Sequence, residues 1–143
     1  MVHKSSAALA GALALSACGL GPPRLDPLTE EDQAAFAGFT CRANRDGAVI
    51  YVGNGETGVI RYRGRRVQLT RLLRDAPFNP VESLENLTMT SSDGNLELSF
   101  LRVVEPPGAD SDDSSTSLTR RVMVTIEDRG RRENQGADLV CGS

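Results

Sequence analysis

The sequence predicts an all-β fold, a small antiparallel barrel or sandwich of about eight strands with one short N-terminal helix. Three observations carry this reading. Apolar residues recur with a period of two, most cleanly at Leu96, Leu98 and Phe100 and at Val122, Val124 and Ile126. Tight-turn residues punctuate the runs at Asp46-Gly47, Gly53-Asn54-Gly55, Arg63-Gly64 and Asp93-Gly94. The runs are short and follow one another directly, as hairpin-linked strands do.

Element by element, the helix is expected over Leu28–Gly38. Thr29 can cap it, Glu30, Glu31 and Asp32 fill its first turn against the helix dipole, and Gly38 can end it. So short a helix is marginal alone, so Phe36 is expected to dock it on the domain. The strands are expected at Phe39–Arg42, Ala48–Val52, Gly58–Arg63, Arg66–Leu72, Leu84–Thr90, Asn95–Val104, Arg120–Glu127 and Asp138–Cys141. Arg74–Ser83, with Pro77 and Pro80, reads as a loop. Glu105–Ser117 is Pro-Pro-Gly followed by Asp and Ser, which reads as a mobile acidic surface loop.

Ahead of this domain the chain begins Met1-Val2-His3-Lys4, then an Ala/Leu-rich run from Ala7 to Leu15, then Ser16-Ala17-Cys18. A charged start, a short apolar core and small residues before a cut site are the parts of a secretory signal. The apolar run falls short of the ~20 residues needed to span a bilayer. Leu15-Ser16-Ala17-Cys18 resembles the lipobox of bacterial lipoproteins. The resemblance implies cleavage after residue 17, diacylglyceryl attachment to Cys18 and acylation of the new amine. Two or three acyl chains would hold the protein firmly where one holds it marginally. Gly19 after the cysteine, by resemblance to enterobacterial sorting, points to the outer membrane. The organisation expected is thus 1–17 signal peptide, 18–27 lipidated cysteine with a Pro/Gly spacer, and 28–143 a single β-rich domain.

About 125 residues remain after the signal, enough for one domain. Aromatics make up 4% of the chain and Trp is absent, so Val, Leu and Ile must fill the core. Cys41 and Cys141 form an even pair in an oxidising compartment and are expected as a disulfide; free thiols acting as ligands or nucleophiles are the alternative. His3, the only histidine, would leave with the signal, so the mature domain has no imidazole for a triad or a zinc site. No Gly-rich phosphate loop stands between a strand and a helix. The chain is therefore not expected to be an enzyme. No catalytic, cofactor-binding or metal-ligating residue is assigned, and a carboxylate pair would be the one route to catalysis. Asp110-Ser111-Asp112-Asp113 lacks the spacing of a calcium loop and reads as a solvated acidic segment. Asn86-Leu87-Thr88 matches a glycosylation sequon, which in an exported bacterial protein reads as incidental.

Every basic residue after Lys4 is arginine, and the arginines cluster as Arg61, Arg63, Arg65, Arg66 and as Arg129, Arg131, Arg132. Alternation along the chain would put Arg61, Arg63 and Arg65 on one face of their hairpin. Such a face can meet anionic glycan, lipid headgroups or an acidic protein; equally, it can keep a strand edge soluble. Nucleic acid is not expected as a partner, given a net charge of −3 and an exported address.

The layout of lipobox, spacer, Phe39-Thr40-Cys41, successive hairpins through Val49–Leu69 and a closing Leu139-Val140-Cys141 resembles the membrane-bound inhibitors of c-type lysozyme. The resemblance implies a small antiparallel barrel stapled by such a disulfide, with lysozyme as partner. The family's Ser- and Gly-containing inhibitory loop would follow Leu69, where this chain reads Thr70-Arg71-Leu72-Leu73-Arg74-Asp75-Ala76-Pro77, so no inhibitory residue carries over. The function expected is a non-catalytic, membrane-anchored, periplasm-facing envelope binding module; a structural or assembly accessory lipoprotein of an envelope complex is the alternative.

Overall fold

The computed structural model describes residues 21–72, 87–103 and 118–142. Nine strands run in order: β1 (Leu25–Asp26), β2 (Thr40–Arg45), β3 (Ala48–Gly53), β4 (Thr57–Tyr62), β5 (Arg65–Arg71), β6 (Thr88–Ser91), β7 (Leu96–Arg102), β8 (Leu118–Asp128) and β9 (Arg131–Gly142), with α1 (Glu30–Gln33) between β1 and β2. From β2 to β9 each strand pairs antiparallel with the next, and β9 returns to pair with β2. Of the two architectures the sequence allowed, the barrel is the one formed, an eight-stranded meander closed on itself.

Closure occurs where Thr40–Asn44 faces Asp138–Gly142, and Cys41 stands directly opposite Cys141. The two form the expected disulfide across that seam. With a sequence separation of 100, the cross-link contributes on the order of 4.7 kcal/mol in the chain-entropy picture.

Antiparallel alternation gives the barrel two ends. The turn end carries the short connections Asp46-Gly47, Arg63-Gly64, Ser92–Asn95 and Arg129-Gly130. The opposite end carries the disulfide and the Asn54–Glu56 turn; residues 73–86 and 104–117 lie outside the described residues. The two loops expected over residues 74–83 and 105–117 fall in those segments, as do the sequon residue Asn86 and the acidic run at 110–113.

The interior is filled by inward-facing apolar residues from every barrel strand, among them Ala43, Ile60, Leu69, Met89, Leu98, Val124, Ile126 and Leu139. Tyr51 is the largest of them; its ring meets Phe100 edge-on at a centroid distance of 4.8 Å, and its hydroxyl donates to Met89 Sδ at 3.2 Å. Room for that ring comes from glycine. Gly53 and Gly58 are cross-strand partners, and a Cβ on Gly58 would sit 2.5 Å from Tyr51 Cε2. With so few aromatics, this ring over two glycines is a main packing unit of the lower barrel.

β3 contains a bulge. Ala43 faces Tyr51 but Asn44 faces Val49, leaving Ile50 as the extra residue. Ile50 and Tyr51 therefore both enter the main core, while Val49 and Val52 face a second cluster outside the barrel with Val59, Leu28 and Phe36. Beyond the bulge β3 parts from β4: only Tyr51–Gly53 pair with Gly58–Ile60. β1 takes the vacated edge, with Leu25 opposite Tyr62 and Asp26 opposite Arg61.

This corrects the expected spacer. Pro23 and Leu25 are buried, and Leu25 belongs to the main core, so the packed unit begins before residue 28. The helix is also shorter than expected, a single turn held by a capping box between Thr29 and Asp32. Its C-cap is Ala34, and Gly38, at φ 82°, lies beyond its end. β9 starts seven residues before the strand expected at Asp138, directly after the Arg129-Gly130 turn. Its inward residues Gln135 and Ala137 are too polar or too small to stand out as alternation.

Gly58→Ala is expected to displace the Tyr51 ring and to destabilise the barrel by about 1–3 kcal/mol, read as a lower urea midpoint at unchanged slope.

Candidate functional site

The turn end gathers most of the chain's arginine chemistry. β6 is only four residues long, and its last pairing is Ser91 with Leu69. Above that level Arg65–Gln68 of β5 have no strand neighbour on that side among the described residues. An open groove of about 870 Å³ occupies the gap, lined by the β4–β5, β6–β7 and β8–β9 turns. Arg63, Arg65, Arg66, Arg129 and Arg131 line it, against two acids, Asp93 and Asp128. The groove is thus basic in a chain whose net charge is −3.

Local sequence explains why arginines stand there. Both hairpins turn on Arg-Gly, with Arg63 and Gly64 at φ 50° and 73° and Arg129 and Gly130 at φ 51° and 83°. Left-handed φ at both central residues is the geometry of the two-residue turn whose twist suits a hairpin. Glycine adopts it freely; arginine does so at a cost of roughly 1 kcal/mol. The turns therefore push two guanidinium stems outward from the end of the barrel.

Asp128 organises the site. It is buried, and its Oδ2 accepts from Tyr62 Oη at 2.7 Å and pairs with Arg63 Nη2 at 3.4 Å and Arg131 Nη2 at 3.3 Å. The Tyr62 hydrogen bond, aided by Arg63, Arg131 and Arg129, outweighs burial and holds the Asp128 carboxyl below its ordinary range. Burial, then the bond to Asp128, pushes the Tyr62 phenol up. Arg63 Cζ lies 5.1 Å from the Tyr62 ring centroid, a cation–π contact. One buried carboxylate thus fixes two arginines that are still 49% and 39% exposed. Arg65 and Arg129 are exposed, and among the described residues neither has a carboxylate within ion-pair distance. On the far rim, the Ser91 hydroxyl and the Asn95 backbone hold the Asp93 carboxyl down to about 2.

The expected face of Arg61, Arg63 and Arg65 does not form. Tyr62 pairs with Arg65 and Arg61 with Arg66, so a two-residue turn exchanges odd and even positions between the strands. Arg61 points to the outer side, where Asp32 Oδ2 meets its Nε at 3.1 Å and its Nη2 at 3.0 Å. Arg66 Nε lies 3.5 Å from Asp32 Oδ1. Burial would raise the Asp32 carboxyl, but hydrogen bonds from Thr29 and Arg61 outweigh it and hold it low. Arg61 is therefore a clamp on the N-terminal segment, whereas Arg63 and Arg65 do line the groove. Arg132, from the second cluster, faces outward to Glu127 with Nη2–Oε2 at 2.7 Å. Tyr62 and Asp128 were not singled out by the sequence. Their one signal is position, each being the residue before an Arg-Gly turn.

Cys18 lies outside the described residues. Among those described, no helix is long and apolar enough to cross a membrane, and no three His, Cys, Asp or Glu side chains are grouped to hold a metal ion. The geometry defines a closed up-and-down barrel with a preorganised cationic groove at its turn end. Comparison with models of known families, with curated proteins and with solved structures finds no match for this chain.

Two outcomes are expected. Because Asp32 and Asp128 have lowered folded pKa values, the stability they contribute is complete above their unfolded value of 3.8 and disappears as pH falls through the folded values. Melting temperature should drop on acidification from about pH 5 downward, and Asp32→Asn should show a flatter acid limb. Arg129→Asn should raise stability by about 0.5–1 kcal/mol in chemical denaturation, since asparagine accepts left-handed φ more readily.

Proposed function

We propose that this protein is a lipid-anchored envelope lipoprotein whose barrel is a non-catalytic binding module, and that the module takes an anionic partner in the arginine groove. The observation that supports this is the convergence of Arg63, Arg65, Arg129 and Arg131 from two hairpins around the buried Asp128. Guanidinium groups held in place by a carboxylate behind them lose little freedom on meeting a phosphate, sulfate or carboxylate. The lipobox at Leu15–Cys18 and the oxidised Cys41–Cys141 pair support an exported address.

A second reading, lysozyme inhibition, is favoured by the disulfide-closed antiparallel barrel that the inhibitor resemblance implies. The stretch where an inhibitory loop would fall is described only as far as Leu72. An accessory role in an envelope complex would use the same groove against an acidic protein.

Calorimetric titration of the oxidised protein with dextran sulfate, with unmodified dextran as control, tests the groove. Binding should weaken with salt and fall by about tenfold or more in Arg65→Glu/Arg129→Glu, while Arg132→Glu leaves it unchanged. Equal loss in both variants would mean diffuse charge attraction and no groove. A parallel titration into a c-type lysozyme, with its activity followed, decides the second reading: tight one-to-one binding with loss of activity would establish inhibition.

A further inference from the structure

We infer that the turn end of the barrel docks against anionic lipid headgroups of the membrane that holds the protein, so that the arginine groove faces the bilayer and the disulfide end faces away. The inference rests on the lipid-anchor reading above and adds an orientation and a partner to it.

The path of the N-terminal segment carries the argument. The described chain begins at Gly21, whose carbonyl accepts from Arg131 Nη1, a groove arginine, at 3.4 Å. From there the segment is fastened to the turn end at successive residues. Pro22 and Arg24 line a second surface depression there, with Arg45, Asp46, Glu133 and Gln135. Leu25 enters the main core and its carbonyl accepts from Arg45 Nη2 at 3.4 Å. Asp26 Oδ2 accepts from the backbone N–H of Gly64, in the Arg-Gly turn itself, at 2.8 Å. The segment cannot swing to the other end without giving up β1 and these bonds.

Cys18 is three residues before Gly21 in the sequence. Chain geometry limits that span to roughly 11 Å. An acyl chain on Cys18 inserted in a bilayer therefore keeps the turn end within about one Debye length of the headgroups, where charge attraction is not screened away. At that distance the sign of the surface matters. The end presents Arg24, Arg45, Arg63, Arg65, Arg66, Arg129 and Arg131 against the acids Asp46, Asp93, Asp128 and Glu133, and phosphate headgroups complement the excess of positive charge. Arg24, Arg65 and Arg129 are exposed and have no carboxylate within ion-pair distance among the described residues. A free phosphorylated solute has the same chemistry, but it gains nothing from the tether, which holds the groove at the membrane surface at high effective concentration.

The absence of tryptophan from the chain supplies a clean probe. The full chain is expressed with a single reporter, Ser92→Trp on the groove rim or Leu101→Trp toward the disulfide end, where Leu101 is 57% exposed. Each protein is extracted from membranes, weighed intact by mass spectrometry to establish acylation of Cys18, and reconstituted into vesicles. The vesicles contain brominated phosphatidylcholine, alone or mixed with phosphatidylglycerol. The result expected is strong quenching of the position-92 reporter on phosphatidylglycerol vesicles, weak quenching of the position-101 reporter, and loss of the difference at high salt. Arg65→Gln/Arg129→Gln, placed in the Ser92→Trp background, should lower the ratio of docked to undocked protein about fivefold for each charge removed. Equal quenching of the two reporters, or quenching at position 92 that ignores lipid charge, would overturn the docking while an acylated Cys18 upheld the anchor. An unacylated Cys18 would remove the anchor and the docking together, and it would be seen in the mass.

Discussion

The rest of the structure depends on closure of the sheet at the β2–β9 seam. A small core poor in aromatics cannot carry a sheet with two long open edges, because each edge exposes a row of unpaired N–H and C=O groups. Pairing Thr40–Asn44 with Asp138–Gly142 removes both edges at once, and the Cys41–Cys141 bond makes that pairing covalent. The ladder stops at Asn44 and Asp138. Above it the seam is carried by side chains: Arg45 Nη1 donates to Gln135 Oε1, and its Nη2 reaches Leu25 O. The buried side-chain nitrogens and oxygens among the described residues all have hydrogen-bond partners, including those in this polar upper layer.

Beyond the upper seam, closure is locally incomplete at two further places. At Ile50 the bulge parts β3 from β4, and β1 fills the opening. At Ser91 the short β6 ends and leaves Arg65–Gln68 on an unpaired flank. The first gap captures the N-terminal segment and the second becomes the groove. They are adjacent because β4 and β5 form one hairpin, so Arg61 can clamp α1 through Asp32 while Arg63 and Arg65, a few residues away, line the open flank. Arg61 and Arg66 pair with Asp32; Arg63 and Arg131 are positioned by Asp128. Identical side chains thus take different roles according to which buried carboxylate they meet.

Much of the barrel was legible because its determinants are local. Period-two alternation in β7 and β8, the Asp-Gly and Arg-Gly turns and the two cysteines each specify structure without reference to the rest of the chain. What escaped was non-local. β1 is two residues long and owes its existence to a bulge in another strand. The first half of β9 faces inward with Gln135, which accepts from Arg45, and with the small Ala137. The groove was half legible: its arginines stood out as two clusters, but joining them requires knowing that both hairpins point to the same end. Alternation carried through a turn of even length misplaces Arg61, because the faces exchange across it.

Edge protection alone does not account for the arrangement at the turn end. An unpaired flank on β5 needs charge at Arg65 and Arg66, and charge there is enough to keep another strand from adding. The same protection covers Arg131, since β9 is unpaired on its β2 side from Arg131 to Ala137 among the described residues, but it does not need Arg129, which stands in the turn and not on a flank. Nor does it need Arg63 and Arg129 at central turn positions where asparagine, aspartate or glycine would be less strained. Asp46 occupies the same position in the β2–β3 turn at φ 51°, so this fold accepts the ordinary residue in that geometry. Two turns out of three instead hold arginine, both on the groove, with a buried carboxylate behind one of them and its neighbour Arg131. Strain of this kind persists where the surrounding structure over-determines it, and here the closed, disulfide-fixed barrel does so. Edge protection thus leaves the two turn arginines unexplained, and their cost favours the proposed anionic partner.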